Sequence, residues 1–332
     1  MNKKLVFTVL VAGMMAVTGC GSTETATKEE TTTQETTTES NEASAEETGT
    51  VVVEHSLGTT EVPKNPEKVV VLDFGALDVM DALELEEKIV GLPLSGSVPD
   101  YLSEYKDETV YTNLGSVKEV DLEAIHALEP DMIITGGRLN DYYEELNEIA
   151  PTVLLNVDNA DYMNSFKKSM NYFGEIFGKE AEVEAKLSEI ETQVTAISEK
   201  AATKNANALI ALANGDGFSV YGKGSRFGII HNEFGIAPVD EAIEVSTHGQ
   251  NASFEYVVEQ NPDLLFVVDR TAATGGEGSA KEMFSNELMQ GTDAYKNDRI
   301  VYLNPTVWYT AGGGFTSTQV MLDEVNAAID KM

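Results

Sequence analysis

The chain has 332 residues, 42% of them hydrophobic, enough to bury one large core or two of ordinary size. Its formal net charge of −34 excludes nucleic acid as a partner, because phosphate backbones need clustered Lys and Arg. Four arginines, at 138, 226, 270 and 299, stand against that acidic background, so any cationic site they form is conspicuous.

The chain opens with a short basic segment, Met1–Lys4, and an apolar run, Leu5–Val17, that is too short to span a bilayer and suits a signal peptide over residues 1–19. Its ending, Val17-Thr18-Gly19-Cys20, resembles a bacterial lipobox. That resemblance implies that Cys20 is lipidated and becomes the first mature residue, anchoring the protein to the extracytoplasmic face of the cell membrane. Two acyl chains on one cysteine hold stably where a single chain is marginal. No other cysteine exists, so neither a disulfide framework nor a thiolate metal site can form. Residues 20–50 are rich in Thr and Glu and carry no apolar side chain larger than alanine beyond Cys20, which predicts a disordered tether.

The folded part is expected from Val51, beginning with a β-hairpin that turns at Gly58. Buried strands are predicted at Lys68–Asp73, Lys88–Leu92 and Thr152–Asn156, and helices at Leu77–Leu85 and Asp141–Ile149. Between them, Asp121–Arg138 reads DLEAIHALEPDMIITGGR: an amphipathic helix, a Pro-Asp break and an apolar strand ending in arginine. The same sentence recurs without a gap at Ser253–Arg270, SFEYVVEQNPDLLFVVDR, pairing Glu123 with Glu255, Asp131 with Asp263 and Arg138 with Arg270. A duplicated helix–strand unit with a cationic tip predicts two similar parallel-sheet α/β lobes presenting positive charge to a shared cleft.

After a helix expected at Tyr162–Phe177 comes a sustained apolar stripe: Val183, Leu187, Ile190, Val194, Ile197 and Ala201. Three heptads are short for a coiled coil; one long helix, 179–202, lying across both lobes accounts for the length better. It divides an N-terminal lobe, 51–178, from a C-terminal lobe, 203–332, with strands at Ala208–Ala213, Leu264–Asp269 and Arg299–Leu303. The segment Gly217–Gly224 nearly writes a phosphate-binding loop, but Gly224 stands where Ser or Thr would hold Mg²⁺. No nucleophile elbow and no HExxH motif appears, so an enzyme is not expected.

The lipobox, acidic tether, paired lobes and long connecting helix resemble the substrate-binding lipoproteins of bacterial ABC importers. The resemblance is to the subclass with a rigid interlobe helix, the class III periplasmic-binding-protein fold, which serves siderophores, haem and cobalamin. The motifs VPKNPEKVVVLDFGALD, GGRLNDYYEELNEIAPTV, SRFGIIHNEFG, STHGQ, NPDLLFVVDR and YLNPTVWYTAGGG resemble the branch that binds ferric catecholate siderophores of the petrobactin and enterobactin type. The similarity covers Val51 to Met332. The resemblance implies that Arg138, Arg226 and Arg270 surround the ferric complex and that His248 and Tyr309 can bind its iron directly. It further implies that Glu123 and Glu255 contact the importer permease, with no intrinsic cofactor, the ferric siderophore being cargo. A monomer is expected. Haem and cobalamin stay as alternative ligands.

The chemistry agrees with this carry-over. A ferric catecholate is an anion with hard oxygen donors and flat rings, which suits an always-charged, weakly hydrated guanidinium. A tetradentate siderophore leaves two positions on iron that a phenolate and an imidazole can fill. On residue type alone, each arginine also reads as a surface charge, His248 as a solvated loop histidine and Tyr309 as a packed aromatic. His55, His126 and His231 read as structural.

Overall fold

The computed structural model describes residues 49–332; the signal segment, Cys20 and the tether up to residue 48 lie outside them. The antiparallel hairpin Thr50–His55 and Gly58–Pro63 turns where His55 faces Gly58. Val51, Val53 and Val62 point inward while their neighbours face solvent, the period-two alternation of a half-buried strand.

The first lobe carries a five-stranded, wholly parallel sheet in the order Thr112–Asn113, Ile89–Leu92, Val69–Val71, Met132–Thr135, Thr152–Leu154. Its central strand is three consecutive valines, all fully buried, because helices cover both faces of a parallel sheet. The second lobe is built around Asn207–Asn214, which pairs parallel with Leu264–Asp269; that strand pairs parallel with Ile300–Tyr302. Its other half differs from the expected parallel arrangement. Asn207–Asn214 turns at Gly215 (φ 59°) into Gly217–Tyr221, which runs antiparallel and pairs again with Gln250–Ala252. The sheet is therefore mixed, and the near-miss phosphate loop is in large part an edge-side strand with Phe218 and Val220 in the core.

The duplicated unit occupies equivalent places in both lobes. Asp121 caps the helix Leu122–Ala127 and Ser253 caps Phe254–Gln260, each side chain accepting a first-turn N–H. Both helices are followed by a left-handed residue, Glu129 (φ 48°) and Asn261 (φ 43°), that turns the chain into its Pro-Asp step. The two aspartates then do the same job. Asp131 accepts the N–H groups of Glu67 and Lys68, both at 2.9 Å, just ahead of the first lobe's central strand. Asp263 accepts the Asn207 N–H at 3.1 Å, at the start of the second lobe's central strand.

The long helix runs Glu180–Lys204, between Gly178 (φ 65°) and Asn205 (φ 50°), and buries Val183, Leu187, Ile190, Ile197 and Ala201. It packs on Tyr162–Phe177 behind the first lobe and meets the second where Gly235 closes on Ser198. A further helix, Phe315–Asp330, lies along it, joined by Gln193–Gln319 and Lys200–Asn326 hydrogen bonds. This C-terminal helix also packs on Phe74–Ala82 of the first lobe, so the chain that left that lobe through the long helix returns to it at the end. One core runs continuously from Val51 to Ile329 through both crossings.

Candidate ligand-binding site

Where the chain passes back between the lobes, the short helix Pro305–Tyr309 ends. Asn304 caps it, with Pro305 at the first helical position where no N–H is needed, and the Trp308 indole N–H anchors it to Glu324 at 2.7 Å. Tyr309, 8% exposed, is the hub of the site. Its main-chain carbonyl accepts hydrogen bonds from Arg138 Nη2 and Arg226 Nη2, both at 2.6 Å. Its phenol oxygen accepts from Arg270 Nε at 2.8 Å, and Arg270 Nη1 donates to Asn214 Oδ1 at 2.7 Å. The Arg226 guanidinium lies 4.0 Å from the Tyr309 ring centre, Arg138 5.0 Å and Arg270 5.8 Å, so the ring face is enclosed by cations.

Arg138 comes from the first lobe; Arg226 and Arg270 come from the second. None of the ion pairs among the described residues involves these three arginines; the bridging pairs are made by lysines. Converging like charges show in the titration behaviour. Burial and then the Arg138 charge lower the Arg226 pKa. Burial pushes the Tyr309 phenol up, but the Arg270 hydrogen bond and the charges of Arg226, Arg270 and Arg138 outweigh it, and the net shift is downward. Asp73, at the end of the central strand, is the nearby acid. Burial raises its pKa, opposed by the Ala76 and Gly75 N–H groups it caps and by Arg138. A Cβ on Gly136 would lie 2.2 Å from Asp73 Oδ2, which is why glycine must precede the arginine-bearing turn.

These groups line an open cavity of about 1220 Å³, and all five side chains singled out in the sequence, Arg138, Arg226, Arg270, His248 and Tyr309, lie on its wall. A cavity above the usual 300–1,000 Å³ suits a ligand larger than a simple metabolite. His248 stands apart from the other four. It is exposed on the loop after Val245, its backbone N–H donating to Ser246 Oγ, and no hydrogen bond or ring contact joins it to Tyr309. Gly249 (φ 71°) fixes the loop's end, since a Cβ there would come within 2.7 Å of the Tyr221 ring.

Asn214, Lys118 and Asn156 are among the wall residues that sequence reasoning missed. Asn214, which orients Arg270, ends a strand just as Arg138 and Arg270 follow strand ends, so position relative to the sheet would have found it. Asn156, two residues beyond Thr152–Leu154, carries the same signal, whereas Lys118, exposed on a small hairpin, carries none. Glu123 and Glu255 are both exposed, each in the first turn of its helix, one per lobe. Of the other histidines, His55 bonds Thr60 and meets Tyr143 edge-on, His231 is buried with Nδ1 against the Ile236 carbonyl, and His126 is exposed.

The sequence matches the family described as periplasmic binding protein over residues 69–307. It is 40% identical over 329 residues to the petrobactin-binding protein YclQ of Bacillus subtilis (strain 168), covering 98% of each chain. The crystal structure of that protein matches with a TM-score of 0.83 at 42% identity, covering 86% of this chain and 100% of its own. The ferric-anguibactin-binding protein FatB of Vibrio anguillarum (strain ATCC 68554 / 775) is 30% identical over 280 residues, 83% of this chain and 86% of its own. The periplasmic catecholate-siderophore binding protein VctP from Vibrio cholerae matches with a TM-score of 0.78 at 34% identity, covering 84% and 100%.

Proposed function

Because the chain belongs to the periplasmic binding protein family, we propose that it captures a ferric catecholate siderophore of the petrobactin type and hands it to an ABC importer for iron uptake. The observation that carries this reading is the convergence of three arginines, from both lobes, on Tyr309 with no carboxylate paired to them among the described residues. Three guanidiniums held close together repel one another and are relieved by an anion between them. A ferric catecholate brings that anion together with flat rings that stack on guanidinium planes.

In this reading Arg138, Arg226 and Arg270 hydrogen-bond the catecholate oxygens. Tyr309 supplies a phenolate to iron, which its lowered pKa supports, and His248 swings from its exposed loop to fill a second position on iron left open by a tetradentate siderophore. Iron is cargo, and the protein binds and releases it without making or breaking covalent bonds. Glu123 and Glu255, one exposed on each lobe, dock on the permease. Cys20 carries the lipid that tethers a monomer to the outer face of the cell membrane, residues 20–50 acting as the spacer between anchor and lobes. Haem carries two peripheral propionates and cobalamin a single phosphodiester, and neither needs three arginines converging on one tyrosine.

The test uses the only tryptophan, Trp308, next to Tyr309. The chain bearing Cys20→Ala is titrated with ferric bis-catecholate and tris-catecholate, following Trp308 emission and the visible charge-transfer band. Saturable quenching is expected, with a band shift for the bis-catecholate that is lost in Tyr309→Phe. Quenching without a shift would demote Tyr309 and His248 to packing roles. Binding of haem or cobalamin in place of both complexes would overturn the siderophore reading.

A further inference from the structure

Asp78 is a carboxylate with 0% of its surface exposed, in the middle of the helix Phe74–Ala82, and the binding scheme above does not use it. It has no cation partner among the described ion pairs. Its oxygens instead accept the N–H groups of Thr316 at 2.8 Å and Ser317 at 2.7 Å and the Tyr101 hydroxyl at 3.0 Å. Those two N–H groups belong to the first turn of Phe315–Asp330, where four donors lack partners inside the helix and the dipole favours a negative charge.

The fit around this contact is closed by glycines. A Cβ on Gly314 would lie 2.3 Å from Asp78 Cγ, and one on Gly75 would lie 2.6 Å from the Gly312 carbonyl oxygen. Gly313, between them, has φ 99°. The run Gly312–Gly314 is therefore pressed against the first lobe at two points. It begins three residues after Tyr309, whose carbonyl holds Arg138 of one lobe and Arg226 of the other. The segment from Tyr309 to Gly314 is thus pinned at both ends: by two arginines in the cavity and by one carboxylate behind it.

We propose that Asp78 is a positioning residue for ligand capture: by seating the Phe315–Asp330 helix on the first lobe it sets the place of the Tyr309 carbonyl, and so the spacing of Arg138 and Arg226. It touches neither arginine and no ligand. An asparagine there keeps the shape but turns one acceptor into a donor aimed at an N–H, so one of the helix's first-turn groups loses its partner and the segment shifts. The inference rests on the reading of this cavity as the ligand site, but its first readout needs no ligand.

The chain has only four arginines, so isotope-labelled arginine gives four side-chain signals by NMR, assigned by single Arg→Lys variants. In the Cys20→Ala chain, Arg138 and Arg226 are expected to show slow guanidinium rotation, which Asp78→Asn releases in both while Arg299, outside the cavity, keeps its behaviour. Affinity for ferric bis-catecholate is expected to fall about tenfold or more, the usual loss when an outer partner of a binding group is removed. Unchanged rotation of Arg138 and Arg226 in a folded Asp78→Asn protein overturns the inference and leaves Asp78 as a helix cap. If Asp78→Asn does not fold, Gly314→Ala, whose Cβ would lie 2.3 Å from Asp78 Cγ and so parts the helix's first turn from the carboxylate, decides by the same signals: faster rotation supports the role and no change overturns it. A wild-type chain that binds no ferric catecholate sinks the functional reading, while the arginine signals still decide this one.

Discussion

Tyr309 sets a pH dependence that can be worked out with its sign. An iron-bound phenolate has lost its proton, so binding a tetradentate ferric catecholate through Tyr309 expels one proton wherever the free phenol still holds it. Affinity must then rise with pH, by about tenfold per unit for one proton, up to the phenol's own pKa, which the surrounding arginines hold below the usual value near 10. Titrations between about pH 7 and 9 are expected to show this slope in the wild type and lose it in Tyr309→Phe, whose loss cancels the siderophore's own proton equilibria from the comparison. Equal slopes in the two proteins would remove Tyr309 from the iron. At this scale Arg138 and Arg270 were legible in the residues, because arginine is scarce and two of its four copies fall at matching strand ends, whereas Arg226, His248 and Tyr309 came from the resemblance alone. What could not be read is the hub itself: a main-chain carbonyl has no residue identity, so nothing in the letters announces that Tyr309 holds two arginines by its backbone. Asp78 was hidden for a related reason, since its partners are backbone N–H groups far along the chain.

The duplicated helix–strand unit was legible as an element because its spacing is exact in length and its N-capping residues, Asp121 and Ser253, are of the right type in both copies. Its Pro-Asp step has an energetic meaning that spacing alone did not disclose. Asp131 receives two backbone N–H groups ahead of the first central strand, whereas Asp263 receives one and is backed by Asn207 Oδ1 on its own N–H. Asp131→Ala leaves those two donors to solvent on an exposed surface, so a loss of about 1 kcal/mol is expected in urea unfolding. A change near zero would show that water replaces the carboxylate fully. The strand Gly217–Tyr221 was missed because Gly217 together with Gly222, Lys223 and Gly224 just beyond it mimics a phosphate loop; the alternation of Phe218 and Val220 around Ser219 was the signal to follow. The C-terminal helix escaped for another reason. Its buried face mixes Ser317 and Thr318 with Met321, Leu322 and Val325, which blurs the apolar stripe by which the long helix declared itself.

At the scale of the whole molecule, two charge distributions oppose each other. The chain's formal charge of −34 repels an anionic ligand from a distance, while three arginines attract it once it is inside the cavity. Which effect governs approach depends on range. At about 0.01 M salt the screening length is roughly 30 Å, comparable to the molecule, and the acidic surface acts as one repulsive field; at about 0.1 M it is roughly 10 Å, and only the cavity's own cations are felt near its mouth. Arginine contacts to a ligand seated in the cavity are screened much less than either field. The association rate for ferric tris-catecholate is therefore expected to rise as salt increases over this range, while dissociation changes little. Most binding between opposite charges slows under the same treatment, so the sign is diagnostic. Stopped-flow quenching of Trp308 measures it directly. A rate that falls with salt would mean that the arginine cluster steers the ligand from outside the cavity, and that the acidity of the remaining surface plays no part in the encounter.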